Sequence, residues 1–169
     1  NAVYGRAVYQ LVKHLHITRN VTWFEVWNEP DQFPGLSPFW DGDAIQLHAM
    51  YAAIVAEVEA DPLLSPNIKL GCCSFAMQSF LNLFPVQFLS TVQQANTRMD
   101  FLSFRPYANV GGGYDPAKTE IARTWRDTYV PDAELVNGEW GMLDPGFGSA
   151  GWNSLDYGLD RIKAIIAMQ

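Results

Sequence analysis

The chain has 169 residues, 49% of them apolar and 17% charged, which excludes a disordered chain and allows one domain with a sizeable core. Its net charge of −7 offers no basic stripe to meet phosphates, so no nucleic-acid partner is expected. No run of about 18 apolar residues occurs, so no membrane-spanning helix and no membrane partner are expected.

The pattern from Val3 to Leu15 spaces Tyr4, Ala7, Val8, Leu11 and Leu15 as a helix would. Trp23 to Trp27 is a short aromatic and β-branched run that reads as a strand, and it ends in Asn28-Glu29-Pro30-Asp31. A loop rich in proline, glycine and aromatics follows to Gly42. Asp43 is placed to cap a second helix, whose apolar stripe is Ala44, Leu47, Tyr51, Ile54, Val55 and Val58. Ile68 to Cys72 reads as a second strand, and Phe84 to Asn96 as a third helix with Pro85 in its first turn. Asp100 to Phe104 is a third strand, followed by Arg105-Pro106-Tyr107 and a glycine run. Asp115-Pro116 opens a fourth helix with Ile121, Trp125 and Tyr129 on one face. Glu134 to Val136 is a fourth strand, ending at Asn137-Gly138-Glu139-Trp140-Gly141. A last helix is expected where Leu155, Leu159, Ile162 and Ile166 recur.

This alternation argues for an α/β fold with a parallel sheet. Polar residues cluster just after each strand, which is the habit of a barrel whose chemistry sits at the C-terminal strand ends. A doubly wound open sheet is the rival, but its first turn carries a glycine fingerprint, and here that turn is Asn-Glu-Pro. The three histidines, His14, His16 and His48, stand outside any CxxC or HExxH pattern, so no metal centre and no cofactor are expected. Cys72 and Cys73 are adjacent, and neighbours rarely bridge, so no disulfide framework is expected. The chain opens at Asn1, with no initiator methionine and no signal peptide ahead of the first helical pattern, as a processed product or fragment would.

Glu29 and Glu139 each fall just past a strand, 110 residues apart. A barrel of about 250 residues allots roughly 31 to each strand–helix unit, so the two stand on strands three apart at one rim, once a long loop is allowed. Glycosidic bond cleavage needs such a pair. One carboxylic acid protonates the leaving oxygen, and the other attacks or stabilises the anomeric carbon. Six Trp, seven Tyr and ten Phe supply flat faces for sugar rings, or simply a core.

Phe24-Glu25-Val26-Trp27-Asn28-Glu29-Pro30-Asp31 resembles the fourth-strand signature of clan A glycoside hydrolases, and its wording is most like glycoside hydrolase family 39, which includes β-xylosidases and α-L-iduronidases. The resemblance implies a partial (β/α)8 TIM barrel running from helix 3 through helix 7, with residues 1–169 part of one catalytic domain. It implies Glu29 as general acid/base, Asn28 on the substrate 2-hydroxyl, Glu139 as nucleophile with Trp140 beside it, and Tyr107 approaching that nucleophile. The implied activity is a retaining, β-xylosidase-like exo-glycosidase with a carbohydrate substrate; an endo-acting clan A hydrolase on glucan or mannan and a non-catalytic carbohydrate-binding relic are the alternatives. The suspected location is outside the cell or in lysosomes.

Arg105 stands where the resemblance leads to histidine. It either binds a carboxylated sugar or ion-pairs with a neighbour. Strands one to three and eight have no counterpart, so a longer native enzyme and weak or no activity of the chain alone are expected. Asp31 and Trp40 line outer subsites or scaffold their loop, Trp27 is core or sugar platform, and Glu25 shares strand parity with Glu29 and so needs a partner inside the barrel or a bulge to turn it out.

Overall fold

The structure, a computed structural model, describes residues 1–32, 39–77, 83–106 and 115–138. Helices and strands alternate through them: α1 (Ala2–Arg19), β1 (Trp23–Glu25), α2 (Ala44–Glu59), β2 (Lys69–Phe75), α3 (Phe84–Gln94), β3 (Phe101–Phe104), α4 (Pro116–Tyr129) and β4 (Glu134–Asn137). The helix expected at Leu155 to Ile166 lies outside the described residues.

The strands form one sheet in the order β1-β2-β3-β4, every pair parallel. Parallel neighbours joined in sequence by helices need right-handed crossovers, and an order that never reverses puts all the helices on one face. A doubly wound sheet reverses its order to cover both faces. The fold is therefore an α/β parallel segment of barrel type, with one core between sheet and helices. Leu70, Cys72, Leu102 and Phe104 enter that core from the strands, and Leu47, Tyr51, Ile54, Phe88, Leu89 and Ala122 from the helices.

Local chemistry accounts for the element boundaries. The Asp43 carboxylate accepts from Gln46 N–H at 2.7 Å while the Gln46 side chain accepts from Asp43 N–H at 2.9 Å, a reciprocal capping box. Asp115 accepts from Ala117 N–H and Pro116 fills the first helical position. The stripe expected on α2 is buried, with Met50 added. Strand β2 runs three residues beyond Cys72, to Phe75. The peptide between Cys72 and Cys73 is cis, with the two Cα atoms 3.1 Å apart.

The buried face of α1 also differs from expectation. Gly5, Tyr9 and Val12 are buried, whereas Tyr4 is 40% and Leu11 56% exposed. The reason is close helix approach: a Cβ on Gly5 would lie 2.9 Å from the Ala53 backbone of α2, so the glycine side faces inward and carries its neighbours with it. Among the described residues, β1 and β4 each pair with one strand, and Trp23 on the β1 edge is 43% exposed. No helix among the described residues is long and apolar enough to cross a membrane.

The N-terminal strand ends are tied by charge. Asp61, after α2, accepts from Lys13 Nζ at 2.7 Å, Tyr9 Oη at 2.8 Å and Leu63 N–H at 2.9 Å. The Lys13 hydrogen bond, with those of Leu63 and Tyr9, holds the Asp61 carboxyl down to about 2. A depressed carboxyl contributes stability above its ordinary value of 3.8 and loses it as pH falls through about 2. In urea unfolding, Asp61→Asn is accordingly less stable than the parent chain at neutral pH, and the gap closes across that acid window.

Candidate active site

Beyond Glu25 the chain leaves the regular ladder but keeps pairing with β2. Val26 N–H donates to Gly71 O at 2.8 Å, and Glu29 N–H to Cys73 O at 2.9 Å. Between these bonds the backbone turns sharply, with Trp27 at φ 70° and Glu29 at φ 46°. A left-handed conformation outside glycine costs on the order of 1–3 kcal/mol and persists only where its surroundings hold it.

Those surroundings are the β2 backbone, the Arg105 side chain after β3 and Gln32 of the same loop. Glu29 is 7% exposed. Arg105, after β3, places Nη1 2.7 Å from Glu29 Oε1 and donates through Nη2 to Asn28 Oδ1. Gln32 donates to the other Glu29 oxygen. Arg105 is itself fixed by its backbone N–H on Phe75 O at 3.0 Å. The structure thus brings Asn28, Glu29 and Arg105 together, and the arginine ion-pairs with a neighbour that is the acid/base candidate itself.

Asp31 sits one layer back, 3% exposed. Its two oxygens accept from Ala76 N–H at 2.8 Å and Met77 N–H at 2.9 Å, so it scaffolds the loop by gripping the end of β2. Burial pushes its carboxyl up, against the pull of these two bonds and of the Lys118 charge. Lys118, on α4 and 1% exposed, donates to Ala76 O at 3.3 Å. Burial lowers its pKa, while Asp115, Asp31 and Glu29 favour its charge.

Below the turn, Glu25 finds its partners across the sheet. Ser74 donates to Oε1 at 2.7 Å and Ser103 donates to the same oxygen, while Ser103 Oγ accepts from Ser74 N–H at 2.9 Å. Gly138, the last described residue, donates its N–H to Phe104 O at 3.1 Å, and a Cβ there would reach within 2.4 Å of Ser74 Oγ. A side chain there would displace the Ser74 hydroxyl from its place beside Glu25.

Trp27 meets Trp40 edge-on at 5.1 Å, and the indole N–H of each donates to a backbone carbonyl, Phe39 O and Asp43 O respectively. A cavity of about 450 Å³ opens beside them, lined by Glu25, Trp27, Asn28 and Phe39. Tyr107, Glu139 and Trp140 lie outside the described residues. Among the described residues no cluster of three or more His, Cys, Asp or Glu could hold a metal ion.

Gln32, Ser74, Ser103 and Lys118 were not singled out from sequence. Lys118 had a legible signal, since it falls on the apolar stripe of α4, three residues before Ile121. A lysine on such a stripe is buried only where carboxylates meet it.

No protein-family model and no curated protein matches the chain. Solved structures do. The chain is similar to a glucosidase from Croceicoccus marinus, with TM-score 0.78 and 24% identity over 99% of this chain and 36% of that one. It is similar to a monomeric β-xylosidase from Caulobacter crescentus, with TM-score 0.72 and 19% identity over 98% of this chain and 36% of that one. A structure described as a family 39 β-xylosidase from the same organism gives TM-score 0.72 and 20% identity over 98% and 35%. The chain thus spans about a third of the length of these enzymes and has the fold of that part of their barrel.

An amide at position 31 has one acceptor oxygen and turns its NH2 toward a backbone N–H. Asp31→Asn is expected to lower stability by about 1–3 kcal/mol, read as a lower urea midpoint with an unchanged m-value.

Proposed function

We propose that the chain is part of the single catalytic barrel domain of a retaining glycoside hydrolase with β-xylosidase-like exo action. The observation that carries this reading is the Asn28-Glu29 pair, held at the end of β1 on the rim where β4 also ends, two residues before Glu139 in the sequence. The glucosidase and β-xylosidase activities of the similar structures support it, as does the wording of the Phe24–Asp31 motif.

In this mechanism Glu139 attacks the anomeric carbon while Glu29 gives its proton to the departing oxygen. A covalent glycosyl-enzyme forms. Glu29 then takes a proton from water, whose oxygen attacks the same carbon and releases the Glu139 carboxylate. Asn28 holds the sugar 2-hydroxyl from the cavity beside Trp27, and Tyr107 and Trp140 complete the sugar-facing wall. Asp31 acts one step removed, by holding the loop that carries Glu29. Arg105 meets Glu29 rather than presenting itself to a sugar carboxylate, which favours a neutral sugar over a uronic acid.

Incubation of the complete barrel with a 2-deoxy-2-fluoro xylosyl donor, followed by peptide mass mapping, is expected to place the adduct on Glu139. A folded protein that forms no adduct with this donor or a wider donor panel would reject the retaining reading. Glu29→Ala is expected to lower kcat/KM by roughly 10²–10⁴ for poor leaving groups and far less for activated aryl glycosides.

A further inference from the structure

We propose that Glu25 is a positioning residue: with Ser74 and Ser103 it forms a polar layer under the rim that seats the end of β4 against the end of β2, and so sets the span between the strand ends that precede Glu29 and Glu139. This rests on the reading of those two glutamates as the catalytic pair.

The inner face of the sheet is stacked in layers. On β1, Trp23 and Glu25 share that face, while Phe24 between them packs against the core. Trp23 meets Phe101 of β3 with ring centroids 5.1 Å apart, and a Cβ on Gly71 of β2 would lie 2.3 Å from the Phe101 ring. These three make an apolar layer. Two residues further along β1 and β3 stand Glu25 and Ser103. On β2 the step is three residues, from Gly71 to Ser74. Regular alternation would turn Ser74 toward the helices with Leu70 and Cys72, but the register shifts between Cys72 and Phe75 and reverses the parity. Phe75 then meets Phe88 and Trp125 on the helix side, and Ser74 reaches Glu25.

The polar layer joins four strands at one level. Glu25 Oε1 accepts from Ser74 Oγ at 2.7 Å and from Ser103 Oγ, and Ser103 Oγ accepts from Ser74 N–H at 2.9 Å. Ser74 and Ser103 are 2% and 0% exposed, so water does not replace a lost partner at either hydroxyl. Gly138, just past β4, rests against this group: a Cβ on it would lie 2.4 Å from Ser74 Oγ and 3.7 Å from Ser103 Cβ. The Gly138 backbone is not left-handed, so contact with the held hydroxyl, not torsion, keeps a side chain out. The place of β4's end is therefore set by a serine whose own place is set by a carboxylate of β1.

A retaining glycosidase needs its two carboxyl groups about 5–5.5 Å apart. A misplacement of about 1 Å costs on the order of 10²-fold in rate. Glu25 acts here through Ser74 and touches no reacting atom. Glu25 also lines the cavity beside Trp27 and Asn28, so direct contact with the sugar is the rival role.

The test reads the seat and the reaction separately. In the chain, Ser74→Ala and Gly138→Ala are each expected to lower the urea midpoint, and the double variant to fall by clearly less than the sum. Without Oγ, the new Cβ would lie 3.6 Å from Ser74 Cβ, an ordinary contact. In the complete barrel, Glu25→Ala is expected to lower kcat by about 10-fold or more with KM changed by less than about twofold. Glu25→Gln should keep most of the parent rate, because its amide oxygen still accepts both hydroxyls. Ser74→Ala should lower kcat likewise, and Gly138→Ala added to it should cost little more. Additive midpoints overturn the seat. Parent-like kcat in folded Glu25→Ala, a raised KM with kcat kept, or equal losses in Glu25→Gln and Glu25→Ala overturn the positioning role. If Glu25→Ala does not fold, parent-like kcat in Ser74→Ala overturns it instead. Absence of turnover in the parent barrel would count against the glycosidase reading, while the midpoints still decide whether Ser74 seats Gly138.

Discussion

Each strand pairs parallel with the one before it in the chain, and this single constraint brings every strand end to one rim. Arg105 reaches Asn28 and Glu29 because β3 ends beside β2, and β2 ends beside the turn after β1. The two edge strands of the described sheet are the ones that precede Glu29 and Glu139. In a flat sheet three strand spacings would keep such ends roughly 14 Å apart. The curl of a barrel wall brings facing groups nearer across the mouth, and the close approach of Gly138 to Ser74 is one place where the described wall closes in.

The site is built in layers of opposite charge. Glu29 meets Arg105, and Asp31 meets the backbone with Lys118 behind it. Glu25 is hydrogen-bonded by hydroxyls instead, which suffices for a carboxylate that remains open to solvent. These contacts offset the unfavourable backbone at Trp27 and Glu29, so the turn that presents Glu29 is held by the ends of β2 and β3.

The order of elements could be read from sequence because caps and periodicity are local: Asp43, Asp115 and the stripe of α2 all announce themselves within one helix turn. The Asn28-Glu29 motif was legible for the same reason. What escaped were pairings across long separations. Asp31 and Met77 are 46 residues apart in sequence, and Ser103 and Glu25 are 78 apart. No local pattern marks a serine as the partner of a distant glutamate. On α1 the apolar pattern pointed to Tyr4 and Leu11, but helix approach at Gly5 outweighed hydrophobicity in choosing the inner face.

The grip of Asp31 on the end of β2 has a further consequence for how such a rim can diversify. One end of the segment between Gln32 and Phe39 is anchored by Asp31, and the other by Trp40 and the Asp43 cap. A loop held at both ends tolerates changes of length, so the chain between these anchors can vary while Asp31 keeps its hold on the end of β2, which makes it a natural unit of evolutionary exchange.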